Sequence, residues 1–132
     1  MMCALTVSKD EYHMKCTRIL KEEPSVRFAG LINDAGEVMA GGYKQKVEIY
    51  LNDVQKKEIF SEVAARVNKR KRYNSNLGHV RYSASRRENV VIMSFPVYDE
   101  ALLIITDPWI NIDRMAYKIM GILDRQYSEF FE

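Results

Sequence analysis

Residues 26–44 of the chain read VRFAGLINDAGEVMAGGYK, and they carry the clearest structural signal in the sequence. Two apolar runs flank the segment Asn33-Asp34-Ala35-Gly36. Asn and Asp side chains hydrogen-bond their own backbone in turns, and Gly36 tolerates the positive φ that closes a hairpin. The stretch therefore predicts a β-hairpin. Residues of its first strand alternate between two faces, with Val26, Phe28, Gly30 and Ile32 on one and Arg27, Ala29 and Leu31 on the other.

The second run of the hairpin contains the double glycine Gly41-Gly42. Because glycine weakens the interior of a strand, we expect this pair to end the second strand or to bulge it. The segment from Gly41 to Lys44 lacks the GxxxxGK[ST] spacing of a phosphate-binding loop, and it follows a strand instead of opening a helix. Residues 43–51 are then a connection, with some extended structure over 47–50.

Helices with capping signals precede and follow the hairpin. Ser8 is followed three residues later by Glu, a capping box that predicts a helix over 9–22, and Pro24 cannot continue it. Asn52 is followed three residues later by Gln, which predicts a second helix over 53–70. The apolar residues of this second helix recur at helical spacing: Ile59, Phe60, Val63, Ala64 and Val67.

The second half of the chain predicts three strands and a helix. Residues 79–85 alternate with a period of two, which is typical of a half-buried strand. Residues 90–95, VVIMSF, and 101–106, ALLIIT, are apolar on both faces and are joined by a turn at 98–100; such strands lie in the centre of a covered sheet. Asn111 caps a final helix. The apolar stripe of that helix is Ile112, Met115, Ala116, Ile119, Leu123 and Tyr127.

Length and composition indicate one globular domain over residues 1–132. The net charge of +2 is close to balance and does not point to a nucleic-acid-binding protein. The first residues, MMCALTVSKDEY, lack the basic region of a signal peptide, and no stretch has the length of a membrane span. Cys3 and Cys16 form no CxxC pair, which is typical of reduced thiols in the cytosol. We therefore expect a cytoplasmic protein.

The order of helix, two strands, helix, three strands and helix resembles the roadblock/dynein-light-chain family, whose fold is profilin-like. The motifs that carry the resemblance are RFAGLIND (27–34), GGYK (41–44), LGHVRYSASRRENVVIMSFPV (77–97) and IDRMAYKIMGIL (112–123). The chain is most similar to small uncharacterised roadblock-like proteins of ammonia-oxidising archaea. It differs from the usual pattern after ALLIIT, where DPWINIDR brings a Pro and a Trp into the connection.

The resemblance implies an α+β fold, a three-layer α/β/α sandwich around a five-stranded, mainly antiparallel sheet of order 2-1-5-4-3. In that order the strand at 79–85 lies at an edge, and an open edge invites a partner strand. Roadblock domains dimerise through this strand and the second helix. The residues expected in the dimer interface are Ile59, Val63, Val67, Val80, Arg81, Tyr82, Ser83 and Ala84.

Roadblock family members scaffold signalling complexes or regulate small Ras-like GTPases. The resemblance therefore implies a non-enzymatic, homodimeric interaction module without a cofactor. Two alternatives stay open. A PAS-like sensor would carry several short helices between its second and third strands, with a ligand pocket beneath them. A nucleic-acid-binding or acidic-partner surface would use the basic residues Lys69, Arg70, Lys71, Arg72, Arg86 and Arg87. The same cations are also expected without a binding partner, because positive charge stabilises the C-terminal end of a helix and protects an edge strand from aggregation.

Other candidate sites are weak. His13 and Cys16 share a helix face, but two ligands do not make a metal site. The acidic residues Asp99, Glu100 and Asp107 form no acid–base pair, and Ser83 and Ser85 lack the context of a nucleophile. We therefore predict no catalytic, cofactor-binding or metal-binding residues. Trp109 is expected to pack under the last helix instead of standing exposed as an anchor.

Overall fold

The structure is a computed structural model that describes residues 8–44 and 50–123. The predicted extended structure over 47–50 lies outside these residues, apart from Tyr50. The elements follow the predicted order, with one short helix added: α1 (Lys9–Glu22), β1 (Val26–Ile32), β2 (Val38–Tyr43), α2 (Asp53–Arg70), α3 (Asn74–Leu77), β3 (Ser83–Arg86), β4 (Val91–Val97), β5 (Glu100–Thr106) and α4 (Ile112–Ile122). A 3₁₀ turn, Lys71–Tyr73, joins α2 to α3.

The five strands form one antiparallel sheet in the order β2-β1-β5-β4-β3, which confirms the predicted fold. The helices α1 and α4 cover one face of the sheet, and α2 covers the other. The central strand β5 is buried on both sides, with Leu102 and Ile104 under α1 and α4 and Leu103 and Ile105 under α2. Two hydrophobic cores on either side of one sheet therefore hold the molecule together.

The prediction that Val26 shares a face with Phe28 is wrong, because β1 carries a β-bulge. Val26 pairs with Thr106 and Phe28 pairs with Ile105, so Arg27 is an extra residue opposite β5. A bulge of this kind shifts the alternation by one residue. Val26 consequently lies in the core under α1 and α4, whereas Phe28 lies in the core under α2.

The double glycine neither ends β2 nor bulges it. The strand continues to Tyr43. Its irregularity lies at Met39, because Leu31 pairs with Ala40 and Ile32 pairs with Val38, so that the register skips the residue between them. Gly41 has a φ of 82°, a conformation that favours glycine. Gly42 lies beside it in the same strand.

The helix α1 lies close against the hairpin at Gly41. A Cβ atom at this position would lie 2.2 Å from the carbonyl oxygen of Ala29 and 2.9 Å from the sulfur of Cys16. The backbone N–H of Gly41 donates to Nδ1 of His13, at 3.2 Å. The glycine therefore allows α1 to pack directly on the backbone of β2.

The strand predicted over 79–85 is too long, because β3 begins only at Ser83. In the register of β3 with β4, Arg81 would lie opposite Pro96 in a hydrogen-bonded pair. Proline has no N–H to donate, so the ladder cannot be completed there. The sheet pairing of β3 therefore starts with Ser83 opposite Ser94.

The capping signals are confirmed at all three long helices. The side chain of Ser8 accepts from the N–H of Glu11, and Asn52 forms the full capping box of α2. Asn111 caps α4, which ends at Ile122; the predicted stripe residue Tyr127 lies outside the described residues. Among the described helices, none combines the length and the apolar character needed to cross a membrane.

Candidate protein-interaction surface

The strand β3 forms one of the two edges of the sheet, and among the described residues it pairs only with β4. The N–H of Arg87 donates to the carbonyl of Val90 at 2.8 Å, which makes these two residues a hydrogen-bonded pair. Such pairs alternate along an antiparallel ladder. Ser85 therefore bonds to β4, while the N–H and C=O groups of Ala84 and Arg86 point away from it. These outward groups are the ones that another strand would bind.

A groove lies beside this edge, on the face of the sheet that α2 covers. Two cavities form it, one of about 60 Å³ next to Val63 and one of about 630 Å³ next to Ile59, and both are lined by Ile92. The side chains of Ile59, Val63 and Ile92 pack at the margin of the core and are only partly buried. We call the edge strand Ser83–Arg86 together with these three apolar residues the β3–α2 surface.

The eight residues predicted for a dimer interface lie in different places. Ile59, Val63, Ser83 and Ala84 belong to the β3–α2 surface. Val67 is 6% exposed and faces the core, so little of its side chain is available to a partner.

Val80, Arg81 and Tyr82 precede β3, which begins at Ser83. Val80 and Arg81 line an open cleft of about 580 Å³ between α1 and the end of α2. Tyr82 lies on the α4 side, where its hydroxyl donates to Oδ1 of Asp113 at 2.5 Å. This hydrogen bond, with a smaller contribution from burial, raises the pKa of Tyr82 to about 12. Its ring centroid is 6.0 Å from that of Phe95.

The predicted basic patch is split between the two ends of β3. Arg70 donates to the hydroxyl of Ser83 at 2.7 Å, at the start of the strand. Arg87 follows the strand, about 13 Å further along it at ~3.3 Å per residue. Lys71 donates to the carbonyl of Tyr98 at 2.7 Å, so it ties the end of α2 to the β4–β5 turn.

Arg86 is also engaged within the chain, since its guanidinium donates to the carbonyl oxygens of Pro108 and Ile110. Three of the six predicted cations, Arg70, Lys71 and Arg86, thus stabilise the fold through neutral oxygen atoms. The remaining three, Lys69, Arg72 and Arg87, are exposed. The six are divided between the end of α2 with the 3₁₀ turn that follows it and the far end of β3.

The prediction that Trp109 packs under the last helix is wrong, because its side chain is 88% exposed. The residue lies in the loop between β5 and α4. One feature of the sequence could have indicated this exposure: the segment DPWINIDR (107–114) departs from the family pattern. Pro108 precedes Trp109 directly, and Asn111, the cap of α4, follows two residues later.

The pair His13 and Cys16 has separate structural roles. Nδ1 of His13 accepts from Gly41, as described above, and Cys16 is fully buried in the core. Burial raises the pKa of the Cys16 thiol to about 12, which keeps it protonated at neutral pH.

In the part of the chain that the structure describes, most of the connection between β2 and β3 is one long helix, α2, with the 3₁₀ turn Lys71–Tyr73 after it, whereas a PAS-like sensor would carry several short helices there. The 18 residues of α2 are continuous, and the one-turn helix α3 follows the 3₁₀ turn before β3. The cavities described above are open to solvent.

Comparison with known families gives one match over nearly the whole chain. The family described as "Family of unknown function (DUF6659)" matches residues 4–132. No curated protein matches the chain.

Comparison with solved structures gives roadblock proteins. The roadblock/LC7 domain from Streptomyces avermitilis has a TM-score of 0.65 at 9% identity, covering 85% of this chain and 91% of that one. The gliding protein MglB from Thermus thermophilus has a TM-score of 0.59 at 16% identity, covering 90% and 95%. Myxococcus xanthus MglB has a TM-score of 0.58 at 12% identity, covering 90% and 92%. The likeness shows that the chain has the roadblock fold.

Proposed function

The chain belongs to the family of unknown function DUF6659, and we propose that it is a non-enzymatic, homodimeric interaction module of the roadblock type. The observation that carries the proposal is the β3–α2 surface. Its open backbone groups at Ala84 and Arg86 lie beside the partly buried apolar residues of α2. The side chains Ser83-Ala84-Ser85 are small, so they leave the strand backbone accessible.

In the proposed dimer, β3 pairs with β3 of a second copy and the two sheets become one sheet of ten strands. Each new backbone hydrogen bond contributes about 0.5–1.5 kcal/mol. The two α2 helices then cover the joined edge, and their residues Ile59 and Val63 become buried. An apolar centre that becomes buried together with direct hydrogen bonds is typical of a protein interface.

Proline substitutions at neighbouring positions of β3 test this surface. Ala84→Pro removes an N–H that points away from β4, so the monomer is expected to keep its fold and lose the dimer. Ser85→Pro is the matched control, because it removes an N–H that bonds to β4 and should destabilise the monomer itself. Sedimentation velocity gives the mass and circular dichroism gives the fold of each variant.

The wild-type chain is expected to sediment as a dimer at tens of micromolar. A monomeric wild-type chain at that concentration contradicts the homodimer. If Ala84→Pro dimerises as strongly as wild type, then the chain associates through some other surface.

We further propose that the dimer scaffolds or regulates a small Ras-like GTPase. The support is the implication of the roadblock resemblance, together with the absence of any catalytic constellation in the sequence. The test measures GTP hydrolysis and nucleotide release by a small GTPase of the same organism, with and without the chain. Binding that depends on the bound nucleotide supports regulation; identical rates and no binding contradict it. The resemblance to proteins of ammonia-oxidising archaea and the cytoplasmic location stay predictions.

A further inference from the structure

Trp109 is the single tryptophan of the chain and its most exposed large apolar side chain among the described residues. The loop that carries it is held firmly on the β5 side. Asp107 accepts from Nε of Arg27 at 2.6 Å, and its backbone N–H donates to the carbonyl of Ser25 at 2.8 Å. The loop is therefore tied to the beginning of β1.

The residues on either side of Trp109 are held by β3. Arg86 donates from one guanidinium nitrogen to the carbonyl of Pro108 and from another, at 2.8 Å, to the carbonyl of Ile110. Asn111 then begins α4 by accepting from the N–H of Arg114 at 3.0 Å. The backbone is fixed before and after the indole, so a partner could bind it with little loss of conformational entropy.

The position of this loop relative to the open edge follows from the strand register. Tyr82, Ala84 and Arg86 project to the α4 side of the sheet, since Tyr82 bonds to Asp113 and Arg86 bonds to the loop. In an antiparallel, two-fold pair of β3 strands, outward residues lie opposite outward residues. Arg86 can then face Tyr82, Ala84 or Arg86 of the second copy.

Charge disfavours the last of these three arrangements, because two arginines directly opposite each other repel. The favoured registers place Arg86 opposite Tyr82 or Ala84 of the second copy. In both cases, the loop that Arg86 holds lies on the same face as Tyr82 of that copy. This is the face on which the ring of Tyr82 packs towards Phe95.

We propose that Trp109 is an anchor of the dimer, packing across the joined edge against the Tyr82 region of a second copy of this chain. The proposal rests on the homodimer of the proposed function and adds a contact on the face opposite α2. Each dimer would contain two such contacts. A rigid aromatic side chain that fills a partner surface is typical of an interface hot spot.

The single tryptophan makes the proposal directly measurable. The emission of the wild-type chain is expected to move to shorter wavelength as concentration rises, along the same curve as the dimer fraction from sedimentation. Iodide should quench it less in the dimer. The Ala84→Pro variant supplies the emission and the quenching of the monomer.

Trp109→Ala is expected to raise the dissociation constant of the dimer at least about 30-fold, the effect of a hot-spot residue of ~2 kcal/mol. Met14→Ala is the matched control, because Met14 is an apolar side chain on α1 that is 72% exposed. Its dissociation constant should stay within about threefold of wild type. Arg86→Lys, which cannot hold both carbonyls in the same geometry, should weaken the dimer while Trp109 is still present.

The outcomes separate this inference from the homodimer itself. Suppose that the wild-type dimer has the same emission as Ala84→Pro and that Trp109→Ala dimerises as tightly as wild type. This result overturns the proposal that Trp109 is an anchor and leaves the homodimer intact. A chain that stays monomeric overturns both. A concentration-dependent blue shift together with a weakened Trp109→Ala dimer supports both.

Discussion

Alanine at the two adjacent glycines of β2 is expected to have very different effects on stability. Gly41 has a φ of 82°, and an added Cβ would lie 2.2 Å from the carbonyl oxygen of Ala29. At Gly42 an added Cβ meets no atom within 4 Å. The two substitutions add the same methyl group one residue apart, so they differ only in backbone conformation and surroundings.

The magnitude for Gly41→Ala follows from two costs. A non-glycine residue in the left-handed region costs ~1–3 kcal/mol. The clash is with backbone and with the Cβ of Cys16, neither of which can rotate away, so the β1–β2 pairing or α1 must shift. Loosening these contacts adds about 2 kcal/mol, as typical overpacking does. We expect a total of about 4 kcal/mol, or a fall of about 12–16 °C in Tm for a domain of this size.

Gly42→Ala is expected to be neutral or to stabilise by about 0.5 kcal/mol, because alanine restricts the unfolded chain more than glycine does. Urea denaturation followed by far-ultraviolet circular dichroism gives the free energy of unfolding of both variants and of wild type. Equal losses at the two positions, or a loss below about 1 kcal/mol for Gly41→Ala, would refute the packing of α1 on β2 described above.

Two further predictions concern titrating groups. The pKa of Tyr82 is raised from 10.0 to about 12 in the folded chain, so the stabilisation from its hydrogen bond to Asp113 is present below pH 10 and is lost as the pH rises through 12. Urea titrations should therefore show that Tyr82→Phe loses less stability than wild type over this pH interval. Parallel losses in the two proteins would contradict the prediction. Cys16, in a Cys3→Ser chain, should react with an aromatic disulfide reagent only after unfolding, because the thiol is buried and its pKa is raised to about 12; rapid reaction of the native chain would show that Cys16 is accessible.

The helices and the central strands could be predicted from the sequence because their signals are local. Ser8 and Asn52 mark helix starts through hydrogen bonds to residues only three positions away. The strand β5 is apolar on both faces because it is buried under helices on both, and a run such as ALLIIT records this directly. The strand order came from the family resemblance, since no local signal contains it.

The errors concern features that depend on residues distant in the chain. Regular alternation over 79–85 gave no hint that Pro96, on another strand, would stop the pairing at Ser83. The bulge at Arg27 is visible only against β5. The residues on either side of the exposed Trp109 are held by Arg86, which belongs to β3, the third element before this loop. The basic residues were predicted to form one patch because they are near one another in the sequence. In the structure, the length of β3 separates Arg87 from the end of α2.

The sheet order has a consequence for synthesis of the chain. The strand made last, β5, lies between β1 and β4 and joins the two halves of the sheet. A nascent chain that ends before residue 100 therefore carries two separate pieces, each with an apolar strand edge that only β5 can cover. Such edges invite pairing between neighbouring nascent chains. The edge of β1 is uncovered for longest, because α2, α3, β3 and β4 are all made before β5, whereas β5 follows β4 directly.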